Sequence, residues 1–175
     1  MKMLLNSKKG MTLMELVVAA GITAVIAGIV LSSLIGFSKF FLTEMAAADI
    51  RSKANLSLSK MVRELRQASP DTFARDLSVA DNHIISFHLP TGWDLNEGTL
   101  IYNIGNQPIQ YSRNGDLLVR TDLETGAIMV LSDHVVSFEI TDEAPYEISL
   151  QFQRDTYFNS ITFGSRDTFE LRNEF

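Results

Sequence analysis

The sequence predicts an α+β chain: a long N-terminal spine helix, transmembrane in its first half and amphipathic in its second, packed on a mostly antiparallel β-sheet domain. Three observations predict it. The run from Leu16 to Phe37 passes 22 residues without a charge. Between Ile50 and Leu65 apolar residues recur at helical spacing. From about His83 the apolar period falls to two, that of a half-buried strand.

The first ten residues carry Lys2, Lys8 and Lys9 and end in Gly10. At 1.5 Å per residue, the uncharged run that follows is long enough to cross a bilayer core of roughly 30 Å. A basic segment before an apolar run also has the form of a secretory signal. This run exceeds the roughly 7–15 residues of a signal core, and no convincing small-x-small cleavage site follows it. An anchor fits better. The lysines before the span place the N-terminus in the cytoplasm, so that everything past about Leu42 lies on the far side.

Glu15 stands at the mouth of this helix, where an acid in a membrane segment is a functional hypothesis by default. Thr12-Leu13-Met14-Glu15 also fits a capping box, in which Thr12 caps the helix and Glu15 reaches back to its first amides. Within the span, Ala20, Ala24, Gly28, Ser32 and Gly36 step by four. Such small-xxx-small spacing lets helix backbones approach closely in lipid, so these residues form a candidate packing seam.

Past the span, Ile50, Ala54, Leu58, Met61 and Leu65 lie on one helix face, while Arg51, Lys53, Lys60, Arg63, Glu64 and Arg66 occupy others. Ser69-Pro70 ends the helix, because the residue before proline avoids the helical region. Helix from Met11 to about Gln67 would run on the order of 85 Å. The apolar face of its outer half must rest on the strands that follow. Ile85, Phe87 and Leu89 alternate with polar neighbours, as do Val136, Phe138 and Ile140, then Ile148, Leu150 and Phe152. Asn114-Gly115 between two strand-like runs is a two-residue hairpin signal, and Glu124-Thr125-Gly126 and Asp142-Glu143-Ala144-Pro145 mark further turns. Six to eight strands are expected, with residues 70–82 and 90–98 as loops.

The net charge of -6 is unevenly spread: residues 71–175 hold six arginines and 17 acids. That acidity argues against general nucleic-acid binding, which needs a basic face. The absence of cysteine excludes disulfides, thiolate zinc sites and cysteine nucleophiles. No catalytic constellation is present. His83, His88 and His134 sit in or beside strands without a nucleophile motif, and His83 and His88, five apart, face opposite sides of one strand. Asp94 with Glu97 and Asp122 with Glu124 offer oxygen ligands that calcium would accept, but without EF-hand spacing. They read as ordinary loop acids. Trp93 reads as a core residue. There is no phosphate-binding glycine loop, so the chain is not expected to hydrolyse nucleotide, and it is not expected to be an enzyme or to need a cofactor.

Lys8-Lys9-Gly10, then Met11-Thr12-Leu13-Met14-Glu15 and an apolar helix, resembles the class III signal of type IV prepilins and pseudopilins. The resemblance implies that a prepilin peptidase cuts after Gly10 on the cytoplasmic side and methylates the new N-terminus, Met11. Residues 1–10 would then be a leader. Residues 11–42 would form the transmembrane and assembly half of the helix, 43–69 its amphipathic half, and 70–175 an extracytoplasmic β-rich domain. Met11 and Glu15 lie one helical turn apart, so cleavage creates an α-amine within reach of a carboxylate. In the family that glutamate is thought to neutralise the amine of a neighbouring subunit, and pairing within or between chains stays open here. The proline that many pilins carry in this helix is absent, as is a C-terminal cysteine pair.

The order of pieces in the C-terminal part also resembles, more weakly, large minor pilins and the J-type minor pseudopilins of type II secretion. It runs from Ile101-Tyr102 and Ile109-Gln-Tyr111 through Gly115-Asp-Leu-Leu-Val-Arg120 to Phe169-Glu-Leu-Arg-Asn173. The resemblance implies an inner-membrane subunit that joins a type IV pilus or a secretion pseudopilus as an initiating or tip component. Its partners would be other pilin subunits and an assembly platform with a separate ATPase. The alternative is a single-pass anchored extracytoplasmic binding module that does not polymerise.

Overall fold

The computed structural model describes residues 11–94, 99–102 and 108–171. Its internal packing divides the chain into two units, Met1–Leu42 and Thr43–Phe175, and the helix α1 (Leu13–Leu65) belongs in part to each.

In the first unit α1 is long and apolar enough to cross a membrane by length and composition, with a mean hydropathy of 2.3 over its most apolar 18 residues. Every residue from Met11 to Leu42 is exposed. The few hydroxyls bond back to the helix itself: Thr23 Oγ1 donates to the Ala19 carbonyl at 2.8 Å, and Ser32 and Ser33 both donate to that of Ile29 at 2.9 Å. Such back-bonding satisfies a hydroxyl without water, as an apolar surrounding demands.

In the second unit α1 behaves as a helix of a soluble domain. Ile50, Ala54, Leu58, Met61 and Leu65 are all buried, joined by Ala46, Ala47, Ser57 and Val62. The last turn tightens, with Gln67 N–H bonding to Glu64 and Ala68 N–H to Leu65, both at 3.0 Å. A short 3-10 turn over Pro70–Thr72 follows.

Ten strands are described, all paired antiparallel: β1 (Ala74–Asp76), β2 (Ile84–Phe87), β3 (Pro90–Asp94), β4 (Thr99–Tyr102), β5 (Ile109–Asn114), β6 (Leu117–Asp122), β7 (Ile128–Ser132), β8 (Val135–Ile140), β9 (Tyr146–Asp155) and β10 (Ser160–Phe169). They form not one sheet but three, ordered β1-β2-β5-β6-β7, β10-β9-β8 and β3-β4. The inner faces of the two larger sheets and the helix stripe make one core, with Phe87, Tyr111, Phe138, Ile148, Leu150 and Phe152 fully buried against Ile50, Met61 and Leu65.

Five expectations need correction. The described strands number ten rather than six to eight, and Val135 rather than Val136 is buried, because a register shift between Val135 and Ser137 breaks the alternation. Residues 90–98 are not a loop throughout, since Pro90–Asp94 pairs with Thr99–Tyr102; a register shift between Pro90 and Gly92 hides the alternation. Residues 70–82 likewise contain the 3-10 turn and β1. The hairpin turn is Gly115-Asp116, not Asn114-Gly115, because Asn114 pairs with Leu117. Gly115 has φ +64°, while Asp116 is not among the positive-φ residues. Glycine at the first of two central positions is the pattern of a type II′ turn.

Polar contacts tie the helix to each sheet. On the five-stranded side, Glu64 Oε2 accepts from the buried Tyr111 hydroxyl at 2.8 Å and from Arg120 Nε at 2.9 Å. Ser57 Oγ donates to the Leu131 carbonyl at 3.0 Å, and Lys53 Nζ lies 2.9 Å from Asp133. On the three-stranded side, Arg154 meets Asp49 at 2.7 Å, and Arg66 donates to the Thr168 carbonyl at 3.2 Å. Burial, then the adjacent Glu64 charge, raises the Tyr111 phenol well above its ordinary range.

Glu64→Leu leaves Arg120 facing a largely apolar wall and strips Tyr111 of its acceptor, so it is expected to lower unfolding free energy by about 2–3 kcal/mol. Adding Arg120→Met should restore part of that loss, read by urea denaturation of the full chain in detergent micelles. The Lys53 hydrogen bond holds the Asp133 carboxyl below its usual range. A depressed carboxylate stabilises the fold above the unfolded value of about 3.9 and stops doing so as pH falls through the lower folded value. Both partners are more than a third exposed, so Asp133→Asn should cost under about 1 kcal/mol at pH 7. The gap between variant and wild type should close below about pH 4.

Candidate functional site

The chemistry singled out in the sequence concentrates at the start of α1. Thr12 is the residue before the first helical one, and its carbonyl accepts the Leu16 N–H at 3.1 Å. Its side chain and that of Glu15 bond reciprocally. Glu15 N–H donates to Thr12 Oγ1 at 3.2 Å, and Thr12 N–H donates to Glu15 Oε2 at 2.8 Å. The Thr12 hydroxyl reaches the same carboxylate oxygen at 3.1 Å. This is a capping box: two amides that lack intrahelical partners are satisfied by one threonine and one glutamate. The geometry fixes the carboxylate at the helix mouth, one peptide unit from the nitrogen of Met11. Met11 itself is exposed. Gly10, with the lysines before it, lies outside the described residues.

Ala20, Ala24, Gly28, Ser32 and Gly36 follow one i, i+4 row of the same helix, all exposed. A side chain added at Gly28 or Gly36 would meet nothing within 4 Å. The seam is thus open to another helix, and neither glycine is needed for packing inside this chain.

The remaining candidates sit in the second unit, apart from one another. His83 Nδ1 accepts the Ile140 N–H at 2.9 Å, which gives the ring a structural use between β2 and β8. His88 N–H donates to Thr72 Oγ1 at 3.3 Å, and His134, at φ +62°, stands beside Asp133. Asp122 Oδ1 accepts from the Glu124 and Thr125 amides at 3.0 and 3.1 Å, and these bonds hold its carboxyl below the usual range. That carboxylate shapes the β6–β7 turn. Among the described residues no three His, Asp or Glu side chains gather as a metal group. Glu97, the expected companion of Asp94, and the surroundings of the Trp93 side chain lie outside the described residues.

Two features escaped the sequence reading. Glu64 is the acid that joins helix to sheet, and its signal was available, since it is the one acid between Arg51 and Gln67. The other is Tyr157-Phe158, aromatic residues inside a turn rather than in a strand alternation, with Tyr157 94% exposed. Comparison with family models, with curated proteins and with solved structures finds no match.

Proposed function

We propose that this chain is a minor pilin or pseudopilin subunit, cut after Gly10 by a prepilin peptidase and N-methylated at Met11. It leaves the cytoplasmic membrane for a type IV pilus or secretion pseudopilus, in an initiating or tip position, and works as an assembly protein rather than an enzyme. One observation carries the reading: Glu15 is held at the mouth of an uncharged helical run, Leu16 to Phe37, whose side chains are all exposed, five residues after a glycine that follows two lysines. The open small-residue seam supports it, because an assembly helix needs a face for its neighbours. Other subunits, an assembly platform and a separate ATPase are the partners this role requires.

In that role Glu15 meets an α-amine that exists only after cleavage. A carboxylate already fixed near the Met11 nitrogen needs little rearrangement to accept it, whether the amine is its own or a neighbour's. The capping box also favours a second reading, because it gives Glu15 a purely local task that a non-polymerising anchored binding module would share.

Glu15→Leu tests the pairing role. It should leave cleavage intact and reduce incorporation into fibres at least about tenfold through the lost charge pairing. Normal incorporation of the variant would overturn the pairing role of Glu15, whereas a wild-type chain that enters no fibre would favour the simple anchor. Intact-mass measurement should find N-methyl-Met11 as the mature N-terminus, and Gly10→Lys should leave the precursor mass unchanged by the peptidase.

A further inference from the structure

The β9–β10 hairpin ends in a built aromatic tip. Thr156 N–H donates to the Asn159 carbonyl at 2.8 Å, the Thr156 hydroxyl reaches the same oxygen at 2.7 Å, and Asn159 N–H returns a bond to Thr156 Oγ1 at 3.0 Å. These bonds hold a tight turn whose two central residues are Tyr157 and Phe158. Their rings stand edge to face, 5.0 Å apart at 84°. A 94%-exposed tyrosine in a pinned turn has no packing role within the domain.

The hairpin's direction is fixed by its contacts with α1. Its base lies beside Arg66, which bonds the Thr168 carbonyl, and its far end lies beside Asp49, which pairs with Arg154. From Arg154 the strand continues three residues to Tyr157, about 10 Å. From Asp49 back to Thr43 is six residues of helix, about 9 Å. The aromatic tip is therefore level with Thr43, at the end of the domain that the chain joins to its apolar helix.

We propose that Tyr157 and Phe158 form a membrane-interface anchor, seating the hairpin tip among lipid headgroups while α1 spans the bilayer. Tyrosine suits that level because its ring is apolar and its hydroxyl stays wet. Exposed Asp155 beside the tip limits entry to the headgroup layer and favours zwitterionic over anionic lipid. The proposal rests on the membrane-spanning reading of α1 and not on processing or polymerisation. It gives the domain a second hold on the membrane.

Because the chain has no cysteine, single labels can be placed cleanly. Spin labels at Asn159→Cys, Glu124→Cys and Ala27→Cys in the full chain, reconstituted in phosphatidylcholine vesicles, report collision with a water-soluble nickel complex and with oxygen. Asn159 contributes backbone atoms to the turn, and Glu124 lies in the β6–β7 turn at the opposite end of the domain. The label at 159 is expected to be at least about threefold less open to nickel than that at 124. Tyr157→Ser with Phe158→Ser, both at exposed positions, should abolish the difference without changing the circular dichroism. Equal nickel access at 159 and 124, with the label at 27 in lipid, would overturn the anchor and leave the tip as a protein contact. Protection that survives the double serine change would overturn the aromatic basis. A water-exposed label at 27 would instead remove the membrane-spanning reading itself.

Discussion

The structure depends on covering one stripe of a helix. Ile50, Ala54, Leu58, Met61 and Leu65 share a face, and a helix apolar on one side is stable in water only when that side is buried. Two sheets meet that need together. The five-stranded sheet brings Phe87, Tyr111 and Leu118 to the stripe, and the three-stranded sheet brings Phe138, Leu150 and Phe152. Each sheet is too small to bury its own inner face, so the helix serves both as their shared wall. Replacing any large side chain of that wall by alanine opens a cavity, costing about 2–5 kcal/mol. Apolar burial alone has no strong preference for register along the helix axis. The Glu64 carboxylate supplies one, since its two donors come from β5 and β6 and reach it in a single position.

Within the same α1, the first unit follows opposite rules. There the hydroxyls turn inward to carbonyls and the apolar side chains turn outward, the arrangement of a helix whose solvent is hydrocarbon. The change of rule falls where the first buried residues, Ala46 and Ala47, appear. Among the described residues nothing in the chain lies within 4 Å of a side chain added at Gly28 or Gly36.

Much of this was legible in the sequence because it is periodic. The stripe and the strand alternations at Ile85–Phe87 and Ile148–Phe152 are repeats of 3.6 or two, and each lies where its period indicates, while the uncharged run shows by its length. What failed was not periodic. The β3–β4 pair was masked by a proline, a glycine and a register shift, and the hairpin turn moved one residue because Gly115 takes the positive φ at the first central position. The division into separate sheets depends on which strands share hydrogen bonds, a long-range choice that local pattern does not encode. Glu64 and the tip aromatics were visible as residues but not as roles, since each role is set by a partner far along the chain or by position at one end of the fold.

The capping box changes how Glu15 should be weighed. As an isolated acid in a membrane helix it would be a liability, but bonded to the Thr12 amide and hydroxyl it stabilises the helix start. Those donors are neutral. A protonated amine is a stronger partner for the same carboxylate, and its advantage grows as the surroundings lose water. The two uses therefore form a sequence rather than a contradiction. In the proposed role the threonine would hold the carboxylate in place before processing, and the amine that cleavage would create would compete for the same oxygens in a medium that favours charge pairing. A leucine at this position would keep the helix and lose both steps, whereas an aspartate, one methylene shorter, would move the carboxylate away from the Thr12 amide. The length of the side chain at residue 15, and not only its charge, is what the proposed assembly role selects.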